Sequence, residues 1–280
     1  MDRIRVGIAG AGLMGWTHFN TLRAMGDVDI VGVCSRNDEN AKQMASTIGC
    51  RYFSGIGELL RSEVEAVWVC TPEYVHEEMC LQALEARKHV FVEKVLARNS
   101  SEGMRLVKKA REYPKLKTMV GYPLRFVPHF RYIKDFLTAV DIGRPLMAWT
   151  NRSQYLKNDS QVFDVYRQQY YSPPEWYFDE SKSGGPVFSF ASHDFDLLTW
   201  YLGVPGMGVV YRVQVPNTER SSKCSQEARV STARENPKEA GGKPPARGTR
   251  TPSEAIGSWM SLPNKAKSIL LKAGCSIWGG

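Results

Sequence analysis

The chain lacks any apolar run approaching the roughly eighteen residues that a membrane-spanning helix needs, so a soluble protein without a membrane partner is expected. The stretch Val6 to Trp16 follows Arg3 and Arg5 as a secretory signal would. Yet Gly7, Gly10, Gly12 and Gly15 interrupt it, each disfavouring helix by roughly 1 kcal/mol against Ala. Cysteines are few and scattered (Cys34, Cys50, Cys70, Cys80, Cys224, Cys275), with no Cys-x-x-Cys and no His at ligand spacing. Reduced thiols in the cytoplasm are therefore expected, and no metal site. Aromatics are missing from "TERSSKCSQEARVSTARENPKEAGGKPPARGTRTPSEA", which has few aliphatics and many Pro, Gly, Ser and Arg. Such a segment buries too little apolar surface to offset the entropy of ordering, so residues 217–280 are expected to form a disordered tail. Excess positive charge is also missing from the body. Of the net +8, residues 217–280 hold 11 Lys/Arg against 5 Asp/Glu, leaving 26 against 24 for residues 1–216. The body calls for no polyanionic partner, and the basic "KPPARGTR" lacks the interleaved aromatics of a nucleic-acid site.

What is present begins with a repeating pattern. Short, β-branched apolar runs at Ile4–Ala9, Ile30–Cys34, Ala66–Cys70, His89–Val92 and Thr118–Gly121 alternate with helical patterns near Leu13–Met25, Glu39–Ile48, Val75–Arg87 and Ser101–Glu112. Strands buried on both faces read this way, so residues 1–122 are expected to form a doubly wound parallel α/β domain. From Pro123 the character changes to a helix across His129–Val140, a strand at Pro145–Ser153, an aromatic, Gln-rich loop and a helix at His193–Leu202. Residues 123–216 are expected to form an incomplete α+β domain.

In "VGIAGAGLMGWTH", Gly10-x-Gly12-x-x-Gly15 stands directly after the first strand and opens a helix. In that context the glycines form the Rossmann dinucleotide fingerprint: Gly10 for the tight turn, Gly12 for close approach to a pyrophosphate, Gly15 for helix-strand packing. Leu13 and Met14 in the helix's first turn complete the candidate phosphate site. After the second strand, where NAD sites present a carboxylate to the ribose, the chain has Cys34-Ser35-Arg36-Asn37. Arg36 can pair with a 2′-phosphate and Ser35 is a neutral donor, so NADP is favoured over NAD.

Ligands of open parallel sheets bind beyond the carboxyl ends of the strands, where "HVFVEKVLARN" delivers Glu93 and Lys94. Lys94 is a fixed positive charge able to stabilise an alkoxide as hydride leaves a carbinol carbon. Together, Gly10 to Gly15, Thr71-Pro72 with His76, Glu93-Lys94, Gly121-Tyr122 through Arg125-Phe126 to Pro128, and "SGGPVFSFASHDFDLLTWYLG" resemble the glucose-fructose oxidoreductase and inositol dehydrogenase family (Gfo/Idh/MocA) over residues 4 to about 203.

The resemblance implies an N-terminal Rossmann domain, an α+β domain with an open, mostly antiparallel sheet, and a homo-oligomer. It also implies NAD(P)-dependent oxidation or reduction of a sugar, cyclitol or similar polyol. Thr71, Pro72, His76 and Glu93 join the candidate cofactor residues. Lys94 matches the family's lysine that polarises the reacting hydroxyl, with Val95 where the family has Pro. His193 matches its general acid or base, with Ser189 where the family has Asp. Arg125, Ser189, Tyr166 and Trp176 are the candidate substrate contacts, the last two from a loop rich in Tyr, Gln, Arg and Trp. After Gly203 the family continues with the strands that complete its sheet, whereas few residues here look like strands. A second reading therefore stands: a dinucleotide-binding protein without turnover.

Overall fold

The computed structural model describes residues 3–139, 147–155, 162–164, 169–171, 174–177, 179–184, 189, 191–203, 209–214 and 225–233. Among these residues two compact units form, one running to Pro123 and the other starting at Leu124.

The first unit is a six-stranded sheet in the order β3-β2-β1-β4-β5-β6. Its strands are β1 (Ile4–Ala9), β2 (Val28–Cys34), β3 (Arg51–Phe53), β4 (Ala66–Val69), β5 (His89–Glu93) and β6 (Thr118–Gly121), all paired in parallel. Helices α1 (Leu13–Arg23), α2 (Asp38–Ile48), α3 (Ile56–Arg61), α4 (His76–Glu85) and α5 (Ser100–Glu112) make the crossovers. Alternation along the strands explains the uninterrupted apolar runs. Val6, Ile8, Trp68 and Phe91 enter one core with Trp16, Phe19 and Leu22 of α1 and Met44 of α2. Their neighbours Val67, Val69, Val90 and Val92 enter a second core with Leu59, Leu84 and Leu106. Each fully buried side chain of this size contributes about 1.5–3 kcal/mol, and a strand with both faces covered has no polar face to show. Helix ends are fixed locally. Asn37 accepts from Asn40 N at 2.9 Å to cap α2, which ends on Gly49 at φ 77°. Asn99 caps α5 by accepting from Glu102 N at 3.0 Å.

In the second unit α6 (Pro128–Ala139) precedes β7 (Met147–Tyr155), and α7 (Glu180–Ser183) and α8 (Ser192–Leu202) come later in the chain, while β8 (Val162–Asp164) and β9 (Gln169–Tyr171) pair with each other.

 Strands β10 (Val209–Gln214) and β11 (Ser225–Ala233) complete an antiparallel sheet in the order β10-β11-β7. Helix α8 is tied to β7 by Thr150 Oγ1, which donates to Asp194 Oδ1 at 3.1 Å. It is tied to α6 by Lys134 Nζ donating to the Trp200 carbonyl at 2.8 Å and Tyr201 OH donating to the Phe130 carbonyl at 2.9 Å.

Strand β11 corrects the sequence reading. Residues 225–233 fall in the segment expected to lack structure, yet they pair with β7 in unbroken register from Ser225↔Tyr155 to Ala233↔Met147. Composition counts only what a segment can bury by itself, whereas a strand between two partners gains its hydrogen-bond ladder from them. The rest of the expected tail lies outside the described residues. Among the described residues no helix is long and apolar enough to cross a membrane.

Candidate functional site

The turn between β1 and α1 is shaped by its glycines. Gly10 has φ +113°, a conformation that side chains rarely adopt, and a Cβ there would lie 2.4 Å from the Cys70 carbonyl oxygen. Its N–H donates to the Cys34 carbonyl at 2.8 Å, which joins the turn to the end of β2. A Cβ on Gly15 would lie 2.0 Å from the Gly10 carbonyl oxygen, so α1 can approach β1 this closely only with glycine there. Gly12 differs: it is exposed, and a Cβ would meet nothing within 4 Å. It is also the N-cap of α1, with no side-chain cap and no acidic residue in the helix's first turn. An open notch facing an uncapped, uncharged helix N-terminus fits a pyrophosphate, whose charge the helix dipole and the first amides favour. Leu13 and Met14 are half-buried, with Met14 packed on the first core, so what they offer the notch is backbone.

Beside the notch, Ser35 is half-buried and Arg36 exposed, its Nη1 donating to Tyr74 OH at 2.5 Å. Thr71 and Pro72 follow β4. The Thr71 hydroxyl oxygen is buried without a hydrogen-bond partner.

His76 stands elsewhere than expected. It has no exposed surface, and its ring nitrogens face two carbonyl oxygens, Nδ1 that of Val95 at 2.7 Å and Nε2 that of Thr71 at 2.8 Å. Burial holds the imidazole below its ordinary pKa against the pull of these carbonyls. A buried ring of this kind clips the loops after β4 and β5 together and presents nothing to a cofactor, which corrects the expectation of direct contact. Glu93 is likewise buried, at 7% exposure. Its Oε1 accepts from His18 Nε2 at 2.7 Å and its Oε2 accepts from the Lys94 backbone N–H at 3.2 Å. Burial pushes the carboxyl up, but His18, Lys94 and His76 together bring it below its usual range. Glu93 therefore acts from behind the site. Lys94 itself, half-buried, follows at the carboxyl end of β5, and the Lys94–Val95 peptide is cis.

Two residues escaped the sequence reading. His18, 2% exposed on α1, is the partner that the buried Glu93 demands. The signal was available: a carboxylate ending an apolar strand must find a donor, and His18 lies on an apolar helix. Glu73 is 4% exposed and its Oε2 has no hydrogen-bond partner. Burial raises its pKa, while Lys94 pulls the other way.

In the second unit, His193 is half-buried in the first turn of α8. Arg125 was expected to face substrate. Instead its Nε and Nη2 donate to Asp196 Oδ2 and Oδ1 at 2.7 and 2.5 Å, and the guanidinium lies 5.7 Å from the Trp200 ring centroid. A two-pronged bond to a carboxylate fixes the plane of the guanidinium and engages Nε and Nη2, which gives Arg125 a structural role in place of the expected substrate contact. Burial raises the Asp196 pKa in spite of the guanidinium. Asp194 is taken by Thr150, so both carboxylates following His193 have partners. Ser189 is 2% exposed and donates to the Ser183 carbonyl at 3.4 Å. Trp176 is half-buried, its ring edge-on to Tyr177 at 5.4 Å. Tyr166 lies outside the described residues. Among the described residues no cluster of three or more metal-ligating side chains occurs.

The six-stranded parallel sheet with its glycine notch defines a dinucleotide-binding protein of Rossmann type. Residues 4–122 match the oxidoreductase family with an NAD-binding Rossmann fold, and residues 130–233 match the Gfo/Idh/MocA C-terminal domain. The chain belongs to the Gfo/Idh/MocA family, and the match runs past residue 203, through β11. It is 35% identical over 142 residues to the 4-carboxy-2-hydroxymuconate-6-semialdehyde dehydrogenase of Sphingobium sp., covering 50% of this chain and 45% of that protein. It is 27% identical over 200 residues to the inositol 2-dehydrogenase of Rhizobium meliloti, covering 71% and 55%. Among solved structures, GenD2 from gentamicin A biosynthesis, in complex with NAD, superposes with a TM-score of 0.65 at 22% identity over 80% of this chain and 60% of that one. The chain thus spans about half the length of these curated relatives.

Proposed function

We propose that the protein is an NAD(P)-dependent oxidoreductase that interconverts a carbinol and a carbonyl on a sugar, cyclitol or related polyol. The observation that carries this reading is Lys94, delivered at the carboxyl end of β5 and held there by the Glu93 carboxylate on its own backbone N–H. Gly12 and the first-turn amides of α1 would hold the pyrophosphate, and Arg36 and Ser35 the ribose end. When bound, the nicotinamide supplies the acceptor or donor of hydride. Lys94 offers its ammonium to the oxygen of the reacting carbinol and stabilises the oxyanion, and His193 takes the hydroxyl proton as general base. In the reverse direction Lys94 polarises the carbonyl oxygen and His193 returns the proton to it. NADP is the proposed preference, because the tip after β2 has Arg36 and no carboxylate before Asp38. A cytoplasmic setting suits Cys34, Cys50, Cys70 and Cys80, which are all free.

The test is turnover of a polyol and sugar panel by the full chain and by Lys94→Ala, with cofactor binding followed separately by thermal melting. A dinucleotide at 100 times its Kd stabilises by about 2.7 kcal/mol. Turnover abolished with the stabilisation kept is the expected result; turnover unchanged in Lys94→Ala overturns the assignment. Arg36→Ala should weaken NADP(H) selectively, and equal weakening of NAD(H) refutes the cofactor preference.

A further inference from the structure

We infer that His18 is a positioning residue for Lys94 and acts through Glu93. The inference rests on the reading of Lys94 as the group that stabilises the oxyanion. His18 is 2% exposed, so it serves neither substrate nor cofactor directly. Its Nε2 donates to Glu93 Oε1 at 2.7 Å, and the other carboxylate oxygen accepts the Lys94 backbone N–H at 3.2 Å. One carboxylate thereby links helix α1 to the peptide from which the Lys94 side chain departs. The surroundings leave it little slack. A Cβ at Gly121 would come within 3.3 Å of Glu93 Oε1 and 2.8 Å of Phe91 Cζ. The Phe91 ring in turn lies edge-on to His18 at 4.8 Å. On the far side of Lys94, His76 Nδ1 lies 2.7 Å from the Val95 carbonyl oxygen, so the backbone is held on both flanks of the lysine.

A buried polar pair is weak evidence for stability, since well-packed apolar side chains often replace one without loss. Its geometry here explains more than its energy does. Helix α1 begins at the Gly12 notch, so the element that receives the pyrophosphate also fixes the carboxylate that orients the lysine.

The experiment compares His18→Asn, His18→Leu and His18→Gln in the full chain. Gln places a donor at about the reach of Nε2, and the other two do not. Lysines are reductively methylated with 13C-formaldehyde and the Lys94 signal is assigned by its loss in Lys94→Arg. NADPH affinity is measured by fluorescence, and kcat and KM on whichever polyol the panel yields. The expected result is a displaced Lys94 signal in His18→Asn and His18→Leu, with NADPH affinity kept. kcat should fall about 100-fold, the effect of a misplacement of about 1 Å, with KM little changed. His18→Gln should recover most of both. Should His18→Leu fail to fold, Glu93→Gln serves instead, because its amide has one acceptor oxygen for two donors and should displace the same signal. An unmoved Lys94 signal in His18→Asn overturns the inference, as does a loss in His18→Gln equal to that in His18→Leu. The two readings fail separately. Full turnover in Lys94→Ala removes the catalytic assignment while the resonance still reports the coupling, and a Lys94 signal indifferent to His18 removes only the coupling.

Discussion

Alanine at Gly10 and at Gly12 should produce opposite outcomes, although the two positions are separated by one residue. At Gly10 the new Cβ would lie 2.4 Å from the Cys70 carbonyl oxygen and 2.7 Å from its carbon, on a backbone at φ +113°. The dihedral alone costs about 1–3 kcal/mol. Overpacking against backbone, which cannot rotate away, adds about 1–3 kcal/mol. Against a total stability of about 5–15 kcal/mol, Gly10→Ala should lower the melting temperature by on the order of 10 °C or prevent folding. At Gly12, φ is −86° and ψ −169°, which Ala adopts freely, and the methyl would enter open space. Lower entropy of the unfolded chain, about 0.4–1 kcal/mol, offsets the poorer N-cap, so stability should stay within about 0.5 kcal/mol. The methyl would instead occupy the notch, and NADPH affinity should fall at least about tenfold, or 1.4 kcal/mol. Urea unfolding and NADPH fluorescence titration on the same preparations separate the two. A Gly12→Ala protein that unfolds as early as Gly10→Ala, or binds NADPH as the parent does, refutes the assignment of the notch.

How far the chain could be read depended on whether a residue's partner is near it in sequence. The strands β1, β4 and β5 were legible because burial on both faces writes itself as an apolar run, and the glycine turn because its constraint is local. Strand β3 and helix α3 were missed. The strand is only Arg51–Phe53, and α3 places Gly57 inside Ile56–Arg61, where a helix former is expected. Strand β11 was missed because what stabilises it is its pairing with β7, 70 to 86 residues earlier, rather than its own composition. The same distance hid the polar contacts. Glu93 announces that it needs a donor, but only the fold says that His18 supplies it. Arg125 reads equally well as a ligand contact or as a partner for a carboxylate, and Asp196, 71 residues on, decides it.

Three further perturbations probe these contacts. Asn99→Ala removes the cap of α5 and should cost about 1 kcal/mol in urea unfolding, with cofactor affinity unchanged; no loss would mean that Glu102 holds the turn unaided. Arg125→Leu leaves the Asp196 side chain, 7% exposed, without its guanidinium, and should cost about 3 kcal/mol, most of it regained in Arg125→Leu/Asp196→Leu; additive losses would show that the pair is not coupled. Glu73→Gln should stabilise the protein, and the sign follows from linkage. Burial raises the Glu73 pKa, so between its unfolded and folded values the native state keeps a proton that the unfolded chain has released. The contribution of this carboxyl is therefore fully present below its unfolded pKa of about 4.3 and is lost as pH rises through the folded value. Glutamine carries no such cost, so the advantage of Glu73→Gln should be absent near pH 4 and grow towards neutrality. Urea unfolding of both proteins at pH 4 and pH 7.5 measures it. An advantage that is independent of pH, or one that shrinks as pH rises, would mean that folding does not raise the Glu73 pKa, with Lys94 outweighing its burial.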